Sequence, residues 1–388
     1  MTRSTLKASV ALGSVSRWAV LVGIIVASRI VSSGLMLWFA NKQEANPWTA
    51  AQPDLIEFSR IWDSHWFRII AEVGYPTTLP INDAGHVGEN AFAFMPIYPF
   101  MVRMGMGLTG APFAIVSVAL SLVFFASFIF LADRLFRHVL GSREALWAVA
   151  IIAFAPVSPV FQVGYAESLG MVFLTLVLIG LLEKRWWLAA TAIPLAALTR
   201  PLGVPLTIMM GILVLLSWRS GQDRAPRFWL AVVAAVSAAA WPVVAWFRTG
   251  VPSAYLDTEM AWRRPYVGEG THAWGTGWWQ SANWWFPEIA VWVLGAGAAV
   301  VAIVAVLPST RRLGSVLTVW SWGYLAYLVL VLFPQSSIFR LLAPMFPLAG
   351  SIARNRTASI VAVLAGVIGQ YFWIESCWSV QGSDWTPP

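Results

Sequence analysis

The stretch PFAIVSVALSLVFFASFIFLA, residues 112–132, carries no charged side chain and is long enough to cross a bilayer core of ~30 Å as a helix. A helix that is apolar on nearly every face is a buried or membrane-spanning element, not a surface one. Comparable runs lie at about 18–39, 145–157, 168–182, 186–200, 201–218, 228–247, 288–308, 314–333, 339–353 and 358–375, which makes eleven expected spans. The segment 91–110 holds two prolines and an arginine and reads as broken or re-entrant. Composition agrees: of 388 residues, 59% are hydrophobic and 11% charged, and mean hydropathy is +0.70. The expected fold class is therefore an all-α polytopic membrane protein, a single domain over residues 1–388.

Charge orients the expected bundle. The formal net charge of +7 could suggest nucleic acid, but the basic residues sit in short clusters between apolar runs, so no nucleic-acid partner is expected. With the N-terminus cytoplasmic, the cytoplasmic segments collect 15 of the 25 basic residues and only four of the 18 acids, Asp133, Glu144, Glu183 and Asp223. The polar mass, in loops 41–90 and 248–287, then faces away from the cytoplasm. The first apolar run is long enough to stay as a span, so no cleaved signal peptide is expected. A preponderance of Arg over Lys hints at a bacterial source and hence a plasma membrane; in a eukaryote the membrane would be that of the endoplasmic reticulum. Cys377 is the single cysteine, which excludes an internal disulfide and a multi-cysteine metal site.

One stretch, RIWDSHWFRIIAEVGY at 60–75, concentrates acid, imidazole, guanidinium and indole groups. Read as a helix, it puts Glu57, Arg60, Ser64, Arg68 and Glu72 on one face and Leu55, Phe58, Trp62, Trp66, Ile69, Ile70 and Val73 on the other. Such a helix lies at a membrane surface or caps a cavity. Asp63 falls off the charged face, between Ile56, Phe67 and Ile70, where poor solvation favours proton uptake and suits a general base. The alternative is a helix cap or an ion pair of Asp63 with Arg60 or Arg68.

Charges at membrane depth are costly and point to function. In the eleven-span topology Glu167, Arg200 and Arg340 reach the same face as Asp63. One acid and several arginines beside a membrane suit a phosphate-bearing lipid; alternatively Glu167 pairs with an arginine to hold the bundle. Arg29, in the first span, reads as a tie between helices. The tryptophans of 248–287 suit the membrane interface, with one or two as platforms for sugar rings. Asp257 and Glu259 could hold a metal but read better as solvated loop acids. His86, His138 and His272 lack partners at ligand spacing, while His65 can approach Asp63 in a turn. GMGLTG at 105–110 has the spacing of a dinucleotide loop but no preceding strand. No cofactor is expected, and no divalent metal is indicated.

From Trp62 to Tyr75 the sequence resembles the PIG-V family of mannosyltransferases, a branch of the GT-C membrane glycosyltransferases. Shorter matches follow in the family's order: Ser28-Arg29, Phe94 to Pro99, Tyr165-Ala-Glu-Ser168, Thr199-Arg200 with Gly203, and Arg340 to Pro347. Leu202 and Met95 depart from the pattern. The resemblance implies a GT-C-like bundle with interfacial helices in its first extracytoplasmic loop. It also implies inverting transfer of mannose from a polyprenyl-phosphate mannose donor to a lipid-linked glycan acceptor, of the phosphatidylinositol mannoside, lipoglycan or glycosylphosphatidylinositol kind. Asp63 then stands as the base. Arg200, Arg340 and His65 would hold the leaving phosphate, with Glu167 and Tyr165 beside them, and Trp62, Trp66 and Tyr75 would shape the site. Two other classes compete: a transporter or flippase of a lipid-linked sugar, and a non-catalytic subunit of a glycan assembly complex.

Overall fold

The computed structural model describes residues 3–268 and 273–380. In chain order its helices are α1 (Arg3–Ala40), α2 (Leu55–Phe58), α3 (Asp63–Glu72), α4 (Ile97–Thr109), α5 (Phe113–Phe136), α6 (Ser142–Ala153), α7 (Glu167–Leu182), α8 (Trp186–Ala197), α9 (Gly203–Ser220) and α10 (Arg224–Thr249). There follow α11 (Ala254–Ala261), α12 (Arg264–Val267), α13 (Thr276–Trp285), α14 (Ala290–Val306), α15 (Pro308–Arg311), α16 (Gly314–Val331), α17 (Ile338–Leu341), α18 (Ala349–Ile352) and α19 (Arg356–Trp373). Among the described residues the only extended pairing is an isolated bridge between Ile81 and Val87. The protein is all-helical.

Among the described residues six helical segments are long and apolar enough to cross a membrane: Ser16–Ala40, Phe113–Phe136, Gly203–Ser220, Arg224–Thr249, Gly314–Val331 and Arg356–Trp378. Four shorter apolar ones accompany them, Glu167–Leu182, Trp186–Ala197, Ala290–Val306 and Ala343–Ile352. Helices follow ten of the eleven expected segments. The eleventh, 339–353, is not one helix. Pro344 and Pro347 lack amide donors, and the chain passes from α17 through a 3-10 turn at Ala343–Leu348 into α18. Residues 91–110 form a 3-10 turn and then α4, whose 13 residues rise about 20 Å. That is too short to cross, as expected of a broken segment.

Small residues let helices approach closely. A Cβ on Gly203 would sit 2.6 Å from the Cα of Ala238, so α9 and α10 approach backbone to backbone at the head of α9. Large apolar side chains such as Ile30, Phe247, Trp292 and Ile368 point outward, where lipid would solvate them.

Polar contacts gather at the two ends of the bundle. At one end Arg17 and Arg137 pair with Asp133; Arg134, His138 and Arg185 surround Glu183; and Lys184 meets Asp223. Arg29 lies between the ends as a tie. It donates to the Ser158 carbonyl at 3.0 Å and to Gln162 Oε1 at 3.1 Å, with its guanidinium 4.1 Å from the Phe125 ring centroid. The opposite end holds the site described next.

Candidate active site

The helix expected over 55–73 is broken. α2 stops at Phe58, the chain turns through 59–62, and α3 starts afresh at Asp63. The break rests on Trp62, whose φ of 57° and ψ of −127° no bulky residue adopts without strain of about 1–3 kcal/mol. Packing holds it there. The Trp62 indole donates to the Trp378 carbonyl at 2.9 Å, the Trp378 indole donates to the Phe58 carbonyl at 3.0 Å, and the Trp62 ring packs on Trp48. Trp62 is thus buried.

The turn docks on the segment before α7. Gly164 donates its amide to the Ser59 carbonyl at 3.1 Å, and the Asp63 amide donates to the Tyr165 hydroxyl at 3.0 Å. A Cβ at Gly164 would lie 2.5 Å from Ser64 Oγ and 2.9 Å from Ser117 Oγ, so only glycine lets this segment sit against the start of α3.

Four charged side chains then join in a line. Arg340 Nη2 lies 2.6 Å from Asp63 Oδ2, and Arg340 Nη1 lies 3.0 Å from Glu167 Oε1. Arg200 Nη1 reaches the same Glu167 oxygen at 2.9 Å. The face of Tyr165 lies beneath Arg340, 5.2 Å from ring centroid to Cζ. Side-chain exposure is 17% for Asp63, 10% for Arg340, 15% for Arg200 and 2% for Glu167. Glu167 Oε2, Arg340 Nε and Ser64 Oγ are buried without a hydrogen-bond partner. With both acids ionised the quartet is neutral. Burial raises the Asp63 pKa above the usual carboxylate value; Arg340 opposes the rise and Glu167 adds to it. Poor solvation of Asp63 is as expected, but its cause differs. The break cuts the helical register between Asp63 and Ile56, while α3 keeps Asp63 on the face of Phe67 and Ile70; its partner is Arg340 instead of Arg60 or Arg68.

Cavities lie at both ends of this line. One, of about 680 Å³, is lined at the Asp63 end by Arg60, Trp62, His65, Trp66, Arg68 and Trp262, among others. The second, of about 380 Å³, is lined at the Arg200 end by Leu202, Val204, Trp241, Leu328 and Val331, with Tyr255, Glu259 and Arg263 as its polar corner. The first is rich in indole and cationic groups, the second mainly aliphatic and aromatic. Glu167 and Arg340 connect them.

The structure therefore brings together Asp63, Tyr165, Glu167, Arg200 and Arg340, with Trp62, His65 and Trp66 along the first cavity. His65 makes no ion pair with Asp63 or Glu167 among the described residues. Burial, aided by Arg68, lowers its pKa. Tyr75 stands apart: its hydroxyl donates to the Phe94 carbonyl at 2.7 Å and its ring packs on Phe92 and Trp241, a structural role. Asp257 accepts from Ser253, and no metal-binding group of three or more ligands occurs among the described residues. His138 contacts Glu183 at the far end, and His272 lies outside the described residues. Sequence reading missed the corner formed by Tyr255, Glu259 and Arg263. Their spacing of four places them on one helical face, a signal that was available. Burial raises the Glu259 pKa, partly offset by Arg263 and by the hydrogen bond from Tyr255.

No family model matches the sequence, and no curated protein matches it significantly. Similarity is found among solved structures. A crystal structure of ArnT from Cupriavidus metallidurans bound to undecaprenyl phosphate superposes with a TM-score of 0.53 at 15% identity, over 89% of this chain and 62% of that one. The apo state of the same protein gives a TM-score of 0.48 at 16% identity, over 89% and 62%. The Archaeoglobus fulgidus oligosaccharyltransferase, in complex with zinc and sulfate, gives 0.49 at 13%, over 93% and 53%. The chain thus spans less than two thirds of the length of each. The likeness to ArnT assigns a GT-C-like fold.

Proposed function

We propose that this protein is an inverting membrane glycosyltransferase that moves mannose from polyprenyl-phosphate mannose to a lipid-linked glycan acceptor on the non-cytoplasmic face. The observation that carries the reading is the buried line of charge joining two cavities of unlike character. The mainly apolar cavity suits a prenyl chain, with its phosphate toward Arg200. The indole-lined cavity suits a carbohydrate, whose hydroxyl would meet Asp63. The GT-C-like fold, found also in a protein bound to undecaprenyl phosphate, supports a polyprenyl-phosphate partner. Mannose itself, and an acceptor of the phosphatidylinositol mannoside or related kind, rest on the PIG-V-like motifs.

The chemistry follows from the geometry. Asp63 accepts the proton of an acceptor hydroxyl as that oxygen bonds to the anomeric carbon. The bond from the anomeric carbon to the phosphate oxygen breaks, and the lipid phosphate leaves with the electron pair. Arg200 and Arg340 neutralise its growing charge in a site of low dielectric, where such contacts are strongest. Attack opposite the leaving group inverts the anomeric centre, so a β-linked donor yields an α-mannoside.

The test is transfer from radiolabelled polyprenyl-phosphate mannose to a membrane lipid extract by purified wild-type and Asp63→Asn protein. Loss of transfer with donor binding retained is expected. Undiminished transfer would remove Asp63 as base. Mass spectrometry of glycolipids from cells lacking the protein identifies the acceptor as the species that accumulates.

A further inference from the structure

Arg340 is committed twice over before any substrate arrives. One of its terminal nitrogens lies 2.6 Å from Asp63, the other 3.0 Å from Glu167, and its Nε is buried without a partner. Arg200 is held by the same Glu167 oxygen. Two cations and two anions cancel, so with both acids ionised the quartet as it stands offers no surplus positive charge to an arriving phosphate. While Arg340 holds Oδ2, Asp63 is also a weaker base than its burial alone would make it, since an adjacent guanidinium stabilises the carboxylate over the acid. Both difficulties have one solution.

We infer that Arg340 is an exchangeable positioning residue: the donor's phosphate draws it off Asp63, and this withdrawal turns Asp63 into a competent base. This rests on the reading of Asp63 and Arg340 given above and adds to it a coupling between the two cavities. With the guanidinium turned to the phosphate, Asp63 is a buried carboxylate beside the like charge of Glu167, and its affinity for a proton rises. The base is thus strengthened only once a leaving group is in place, which orders donor before acceptor. Binding of the lipid and ionisation of Asp63 then oppose one another, and such linkage is reciprocal. The other groups near Asp63 are Tyr165 before α7 and Glu167 at its start, Arg200 before α9, and His65, Arg68, Arg60 and Glu89 around the first cavity; Glu259 of α11 and Arg263 beyond its end lie at the second. Of these, Glu89 and Glu259 also have pKa values raised by burial, while that of His65 is lowered.

The probe is undecaprenyl methyl phosphate, a diester whose single charge does not titrate in the working range. Its affinity is measured by calorimetry with detergent-solubilised wild-type and Asp63→Asn protein, each in a His65→Gln background. The Asp63→Asn protein should bind about tenfold more tightly, within the usual range of coupling between sites, because Arg340 need not leave an anion. Equal or weaker binding by that variant would overturn the exchange while leaving the base assignment standing. If neither protein binds the diester, the lipid-phosphate reading falls and the exchange with it. Should Asp63→Asn fail to fold, the His65→Gln protein with Glu89→Gln and Glu259→Gln added decides alone. Affinity that rises on acidification supports the exchange; affinity that is flat or falls overturns it.

Discussion

The two ends of α7 carry acids in opposite circumstances. Glu167 opens the helix and Glu183 follows its last residue, about 24 Å away along the axis. Each gathers several cations. Around Glu183 the partners Arg134, His138 and Arg185 are 41%, 34% and 51% exposed. Around Glu167, Arg200 and Arg340 are 15% and 10% exposed, and the second carboxylate oxygen has no partner at all. Similar charges, read in sequence, are thus a solvated brace at one end and an unsatisfied, exchangeable line at the other. Burial and the missing hydrogen bonds separate the two, because a buried unpaired polar atom costs about 1–3 kcal/mol and persists where a ligand can satisfy it.

The comparison breaks most sharply at Asp63. Asp63→Asn should slow transfer by about 10²–10⁴-fold, the usual worth of a general base, whereas Arg134→Gln should leave the initial rate unchanged within about twofold. Comparable losses in the two variants would erase the distinction between the ends. Stability should divide the same way. Glu167→Gln removes the anion shared by Arg200 and Arg340 and should cost about 3–5 kcal/mol. Glu183→Gln, among exposed partners, should cost about 1 kcal/mol or less. Denaturant titration in detergent reads both, and equal costs would mean that burial does not set the difference.

Acid sharpens the contrast further. The Asp63 pKa is raised by burial despite Arg340, and the base acts only when deprotonated. Turnover should therefore fall on acidification at a pH above the ordinary carboxylate range. Burial also acts to raise the Glu183 pKa, but Arg134, His138 and Arg185 outweigh it and leave the pKa low. The stability from those pairs is complete above the unfolded carboxylate pKa and is lost only as pH falls through the lower folded value. An interval should exist in which the protein is inactive yet folded. Rate and thermal-unfolding profiles measured together test this, and coincident acid limbs would contradict it. The smallest effect belongs to Arg137→Ala: Arg137 is 49% exposed, and Asp133 keeps Arg17, so the change should stay within about 0.5 kcal/mol.

How much of this was legible beforehand differs by feature. Helical segments were readable because an apolar run must satisfy its own backbone in lipid. The run at 339–353 failed as a helix because its prolines outweigh its hydropathy. Convergence of Glu167, Arg200 and Arg340 on one face followed from alternating spans. The partner of Asp63 did not, since helical periodicity ran through residues 59–62 where the chain turns.

Local chemistry alone determined that this chain is helical and built for lipid, and which end would collect Glu167, Arg200 and Arg340, because hydropathy and chain direction are properties of neighbouring residues. Which carboxylate meets which guanidinium was decided only by tertiary packing. Trp62 holds its left-handed backbone because Trp378, 316 positions away, accepts its indole hydrogen. Asp63 reaches Arg340 across 277 positions by the same means. Contacts at such separations depend on how the bundle closes, and no local pattern encodes them.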